Sequence, residues 1–181
     1  MKKLAALFAA VALAAVPAAA KLPAGAKAPM FATQAALAGK AFGFNLRTAL
    51  AKGPVVLYFY PKAFTKGCTL EAHEFAEATP EFAKLGATVI GMSNDDIATL
   101  KRFSKEECRD KFAVATATPK IVKAYQAALV SEGKQTGMTE RTSYVIDRKG
   151  RIVFVHSDLD YKDHVRLTLD AVKKLQAKRR P

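Results

Sequence analysis

The sequence has only two cysteines, Cys68 and Cys108, and they do not form a Cys-x-x-Cys pair. That absence argues against a dithiol oxidoreductase, in which a closely spaced second thiol lowers both the pKa and the potential of the first. Acids are scarce too: 16 Asp and Glu stand against 29 Lys and Arg, for a formal charge of +13. The cations are scattered, apart from Lys178, Arg179 and Arg180 at the C-terminus, so the excess reads as a solvated basic surface and not as a nucleic-acid face. No internal repeat, coiled-coil heptad or collagen pattern is present. The apolar run Leu4 to Val16 is about 13 residues, short of the roughly 20 that span a bilayer, and no later segment is apolar enough to do so.

That short run has the build of a secretory signal peptide. Lys2 and Lys3 precede it, no acid interrupts it, and Pro17 with Ala18, Ala19 and Ala20 follows, so cleavage is expected after Ala20. The expected mature chain, residues 21–181, is periplasmic or secreted, free of the membrane, and of a length for one ordinary domain. In an oxidising compartment two cysteines alone could be a structural disulfide, which for a loop of this size would stabilise the fold by roughly 4 kcal/mol.

Lys21 to Ala36 is rich in Ala, Pro and Gly and reads as an irregular arm ending in a short strand; Ala41 to Leu46 alternates as a second one, before a helical turn over Arg47 to Lys52. Val55 to Tyr60 is an unbroken run of β-branched and aromatic residues between Gly53-Pro54 and Pro61, as a strand buried on both faces requires. Cys68 to Leu85 has a helical period, with Cys68, Ala72, Phe75 and Phe82 on one face and Pro80 expected to kink or split it. Thr88 to Met92 is a second buried strand. Ser93-Asn94-Asp95 offers caps for a helix from about Asp96 to Arg109, which would carry Cys108. A helix is predicted from Pro119 to about Val130 and a loop over Ser131 to Thr139. Ser143 to Ile146 and Arg151 to His156 flank a hairpin turn, and Asp163 to Lys178 forms the last amphipathic helix. The order β-α-β-α-α-β-β-α, with parallel crossovers and a terminal hairpin, predicts a thioredoxin-like α/β fold, a central mixed sheet flanked by helices.

The chemistry concentrates where the first core strand ends. Pro61 stops the strand, a loop turns, and Cys68 arrives in the first turn of a helix. Free N–H groups and the partial positive charge at a helix N-terminus favour thiolate over thiol and can hold a peroxide oxygen. Thr65, three residues earlier, is placed for its hydroxyl to meet the sulfur or a peroxide, and Pro61 can shield the site from water. Arg141 opens a later strand, and a guanidinium beside the cysteine would stabilise charge moving onto a leaving oxygen. Taken singly, Thr65 could be a helix cap, Pro61 a strand stop and Arg141 a surface cation.

Pro61-x-x-x-Thr65-x-x-Cys68 with Arg141 resembles the active-site signature of the peroxiredoxins. The stretch Gly67-Cys68-Thr69-Leu70-Glu71-Ala72 is most similar to the bacterioferritin comigratory protein branch, also called peroxiredoxin Q. The resemblance runs from about Leu22 to Lys174. It implies a thiol-dependent peroxidase for hydrogen peroxide and organic hydroperoxides, with Cys68 as peroxidatic cysteine and Pro61, Thr65 and Arg141 completing its pocket. Glu71 would orient the arginine. Reduction would come from a thioredoxin-like protein or a small thiol, no cofactor or metal is called for, and the branch is commonly monomeric.

Many members of that branch carry a resolving cysteine five residues after the first, but here that position is His73. The resemblance then implies Cys108 as the resolving residue, closing an intramolecular disulfide onto Cys68; a one-cysteine cycle is the alternative. A copper carrier built on Cys68, His73 and a later histidine has suitable ligand types but lacks the closely spaced cysteine pair of such proteins.

Overall fold

The computed structural model describes residues 21–178, so the signal peptide expected over residues 1–20, with its cleavage after Ala20, lies outside the described residues. In chain order the elements are β1 (Ala32–Leu37), β2 (Lys40–Asn45), α1 (Leu46–Lys52), β3 (Val55–Phe59), α2 (Lys66–Lys84), β4 (Thr88–Ser93), α3 (Ile97–Glu106), β5 (Ala113–Thr116), α4 (Pro119–Tyr125), β6 (Ala128–Ser131), β7 (Lys134–Thr139), β8 (Thr142–Ile146), β9 (Ile152–Ser157) and α5 (His164–Ala177). Seven strands form one mixed sheet in the order β2-β1-β5-β4-β3-β8-β9, with β3, β4 and β5 parallel.

β3 shows why the sheet is covered on both sides. All five of its residues are buried. Because alternate side chains point to opposite faces, Val56, Tyr58 and the following Tyr60 pack with α2, α3 and α5, while Val55, Leu57 and Phe59 pack with α1 and α4. β8 runs antiparallel to β3 with Phe59 opposite Thr142. The C-terminal end of β3 and the start of β8 therefore share one edge of the sheet, and Arg141 stands beside the loop that leads into Cys68.

Four expectations need correction. The strand β5 carried no recognisable signal. The helix from Pro119 ends at Tyr125 and not near Val130, because Gln126 turns left-handed at φ 53° and its N–H bonds back to the Lys123 and Val122 carbonyls. The segment expected as a loop over Ser131 to Thr139 instead joins Ala128–Ser131 in the hairpin β6–β7, whose two turn residues, Glu132 and Gly133, have φ of 50° and 73°, as a type I′ turn demands. Finally, α3 ends at Glu106, so Cys108 lies in the turn beyond the helix and not on it. α2 passes through Pro80 without splitting, its apolar face anchored by Phe75, Ala76 and Phe82. No described helix is long and apolar enough to cross a membrane.

Gly53 lets the turn before β3 lie against the turn before β4. A Cβ at this position would stand 1.9 Å from the Gly86 carbonyl oxygen. Both groups are main chain, so relief requires moving one turn away from the other. Gly53→Ala is expected to destabilise the protein by about 1–3 kcal/mol. Gly43→Ala, whose methyl would meet nothing within 4 Å, should be nearly neutral, and urea midpoints of the two variants check the contrast.

Candidate active site

Pro61 follows the last residues of β3 and is half-buried; the loop after it is pinned from behind. The Ala63 N–H donates to Asp95 Oδ2 (2.8 Å), which also accepts from the Ser93 hydroxyl (2.7 Å). Asp95 is therefore a loop anchor, while the cap of α3 is Asp96, whose Oδ1 accepts from Thr99 N–H. Phe64 holds a left-handed φ of 63°, a conformation that costs a non-glycine residue of order 1 kcal/mol or more. Its ring is gripped edge-on by Phe103 (5.2 Å between centroids) and lies under the Arg102 guanidinium (5.1 Å).

Cys68 sits in the first turn of α2, 2% exposed, and both cysteines are free thiols. Arg141 Nη2 donates to its sulfur at 3.5 Å. The same guanidinium donates through Nη1 to Glu71 Oε2 and through Nε to the Leu159 carbonyl (2.9 Å). Gly67 makes room for this approach, since a Cβ there would come within 3.3 Å of Arg141 Nη2. Burial pulls the arginine pKa down, but the Glu71 and Cys68 charges outweigh it and hold it above its ordinary value. Burial raises the Glu71 carboxyl pKa, and the charge and hydrogen bond of Arg141 pull it back down. Thr65 precedes the helix at its N-cap position, yet its hydroxyl does not bond the sulfur. It donates to the Lys62 carbonyl (2.9 Å), which leaves the oxygen lone pairs free to accept from a peroxide O–H.

A second layer escaped the sequence reading. His164 is fully buried at the start of α5, with Nε2 3.0 Å from the Asp158 carbonyl and Nδ1 2.8 Å from the Ser143 hydroxyl. A carbonyl only accepts, so Nε2 carries the proton and Nδ1 accepts from Ser143. Asp158 N–H in turn donates to the Arg141 carbonyl, so the segment that holds His164 also holds the arginine at both its main chain and its side chain. Glu71 Oε1, buried without a hydrogen-bond partner, faces His164 Nδ1 at 3.9 Å. An isolated histidine at the head of an amphipathic helix gives no sequence signal for this role.

The structure thus brings Glu71 and Arg141 together at Cys68, with Thr65 at the N-cap of the same helix and Pro61 in the loop before it, while Cys108, a free thiol, stands in the turn after α3. Cys108 is fully buried in the same apolar cluster as Cys68, with Tyr58 and Tyr60, whose hydroxyls have no partner. Burial, reinforced by Glu107 and Asp110, pushes its thiol well above the ordinary range. His73, the candidate copper ligand, pairs with Glu107 at 2.7 Å.

A thiol at a helix N-terminus, bonded to a buried guanidinium on a sheet of this topology, defines a thiol peroxidase of thioredoxin-like fold. The comparisons agree. The AhpC/TSA family model matches residues 24–155. Peroxiredoxin Bcp of Bacillus subtilis is 32% identical over 126 residues, covering 68% of this chain and 80% of that protein. Chloroplastic Peroxiredoxin Q of Triticum aestivum is 33% identical over 67% of this chain, which spans only 55% of the wheat protein's length. The solved structure of the Xanthomonas campestris bacterioferritin comigratory protein superposes with a TM-score of 0.70 at 28% identity, covering 79% of this chain and 91% of that one. The chain belongs to the AhpC/TSA family and is a peroxiredoxin, a thiol-dependent peroxidase.

Burial lowers the His164 pKa to about 4, with the bond to Asp158 opposing it and the His156 and Arg141 charges adding to it. The unfolded chain, with a histidine near 6.5, therefore binds a proton that the folded chain refuses between pH 6.5 and about 4. Stability falls as pH drops through that window, by up to about 3 kcal/mol. His164→Gln, which has no such proton to take up, should lose less than wild type between pH 7 and pH 4.5 in paired urea titrations.

Proposed function

We propose that this peroxiredoxin reduces hydrogen peroxide and organic hydroperoxides through Cys68, and that Cys108 resolves the oxidised enzyme as an intramolecular disulfide. The observation that carries the first part is the Arg141 guanidinium bonded to the Cys68 sulfur. The thiolate attacks the terminal peroxide oxygen, an S–O bond forms and the O–O bond breaks. The departing alkoxide or hydroxide takes a proton and leaves as alcohol or water, with Cys68 as sulfenic acid. Arg141 offsets negative charge as it moves from sulfur to the leaving oxygen, and Thr65 accepts from the peroxide O–H. The Xanthomonas campestris bacterioferritin comigratory protein has an alkyl peroxide reduction activity. In this chain Phe64, 37% exposed beside Thr65, offers an apolar surface that suits such substrates.

Cys108 is the one other thiol in the sequence, and its seat in the same core cluster as Cys68 supports the resolving role. Sulfenic acid and thiol condense with loss of water, and an external thiol, small or on a thioredoxin-like protein, then reduces the disulfide. The lysine-flanked apolar N-terminus favours export to the periplasm or beyond, as one monomeric domain over residues 21–181.

Purified protein with dithiothreitol should consume hydrogen peroxide and cumene hydroperoxide. Cys68→Ser should abolish turnover, and Arg141→Ala should cut the peroxide rate by about 100- to 1,000-fold while remaining folded. Turnover surviving in Cys68→Ser rules out the assignment.

A further inference from the structure

Cys108 sits in the turn that follows α3. The residues on either side of it are tied to α2. Glu107 Oε2 meets His73 Nε2 at 2.7 Å, and Arg109 Nη1 meets Glu77 Oε1 at 3.2 Å. His73 and Glu77 are four residues apart, so they project from one face of α2 one turn apart, and together they clasp the turn around Cys108. The His73–Glu107 rung is the sheltered one, with side chains 29% and 22% exposed, against 72% and 46% for Glu77 and Arg109. The outer rung therefore contributes little.

The clasped turn is strained. Arg109 and Asp110 both take left-handed φ, 51° and 59°, without glycine, which makes the turn costly to keep and ready to open once released. Between the rungs the Cys108 side chain points into the core, where burial keeps it a thiol. An S–S bond is about 2 Å long, and the two buried thiols are unbonded in the reduced protein, so Cys108 has to shift from this seat to react.

We propose that His73 is a positioning residue for the resolving step: through Glu107 it holds Cys108 in its buried turn and so sets the rate at which that thiol reaches oxidised Cys68. The inference rests on the reading of Cys108 as resolving cysteine. In the step concerned, the Cys108 sulfur forms an S–S bond to Cys68 as the Cys68 S–O bond breaks and the hydroxide leaves as water. The competing step is oxidation of the sulfenic acid by a second peroxide to sulfinic acid, with release of water or alcohol. A looser clasp thus favours resolution over over-oxidation, and a tighter clasp the reverse.

The test is an acid-quenched time course of the full-length reduced enzyme after one equivalent of hydrogen peroxide. Free thiols are alkylated and Cys68 and Cys108 peptides are quantified by mass spectrometry. Loss of the Cys68 thiol should proceed as in wild type in every variant. Loss of the Cys108 thiol should be roughly 3- to 10-fold faster in His73→Ala and in Glu107→Gln, no faster again in the double variant, and restored to within about twofold of wild type in His73→Gln, which keeps a donor at similar reach. At excess peroxide the sulfinic fraction should fall in the two fast variants. Unchanged Cys108 kinetics in both, in enzyme that does form the disulfide, overturns the inference and leaves Cys108 as resolving cysteine. A wild type whose Cys108 thiol stays free while Cys68 is oxidised overturns both.

Discussion

A guanidinium that is only 4% exposed persists inside a protein when its charge and its N–H groups are met there. Arg141 is met by the Glu71 carboxylate and the Cys68 sulfur, both on α2, and by the Leu159 carbonyl from the segment after β9. Each partner needs its own support. Glu71 is carried one helical turn past Cys68 on α2, so sulfur and carboxylate face the arginine together. Leu159 follows Asp158, whose main chain is bonded both to Arg141 and to His164. Removing Glu71 would leave the buried guanidinium without its counter-charge.

The topology of the sheet is what allows this convergence. Antiparallel pairing of β8 with β3 brings the start of one strand to the end of the other, and the register Phe59 to Thr142 sets Arg141 next to the loop before Cys68. The sulfur is nearly sheltered from water, so the electrostatic effect of the guanidinium is larger than it would be at a surface. The neutral imidazole of His164 supports the network without adding a second positive charge beside Arg141. The site is thus a single buried cation fixed in advance where charge will move, which is the arrangement that stabilises a transition state at least cost in reorganisation.

Much of this was legible in the sequence because it follows local rules. The apolar run of β3, the loop from Pro61 and the cysteine in the first helical turn are written in consecutive residues, and the four-residue constellation with Arg141 resembles a known signature. What was not legible depends on contacts distant in sequence. β5 is four small residues, Ala113 to Thr116, that form a strand because β4 and β1 flank them. α4 stops at Tyr125 and α3 at Glu106 without a glycine or proline, the left-handed residues that follow being Gln126, and Arg109 with Asp110. Those are poor signals for a helix end, so the sequence pattern carries α3 about one turn too far, past Cys108. The roles of Asp95, His164 and the His73–Glu107 pair come from tertiary packing alone.

The two cysteines occupy contrasting settings within one core cluster. Cys68 is held beside a cation at a helix start, and Cys108 is held among Tyr58, Tyr60 and Phe103 in a clasped turn. On the proposed mechanism, reaction at the first depends on Arg141 being in place, and on Glu71 only insofar as Glu71 keeps it there. The most direct test is a double-mutant cycle on the single-turnover rate of Cys68 oxidation by hydrogen peroxide, using Glu71→Gln, Arg141→Lys and the double variant. If Glu71 acts through Arg141, each single variant is slow and the double is no slower than Arg141→Lys alone. Losses that multiply, with the double variant slowed by the product of the two single effects, would contradict the account.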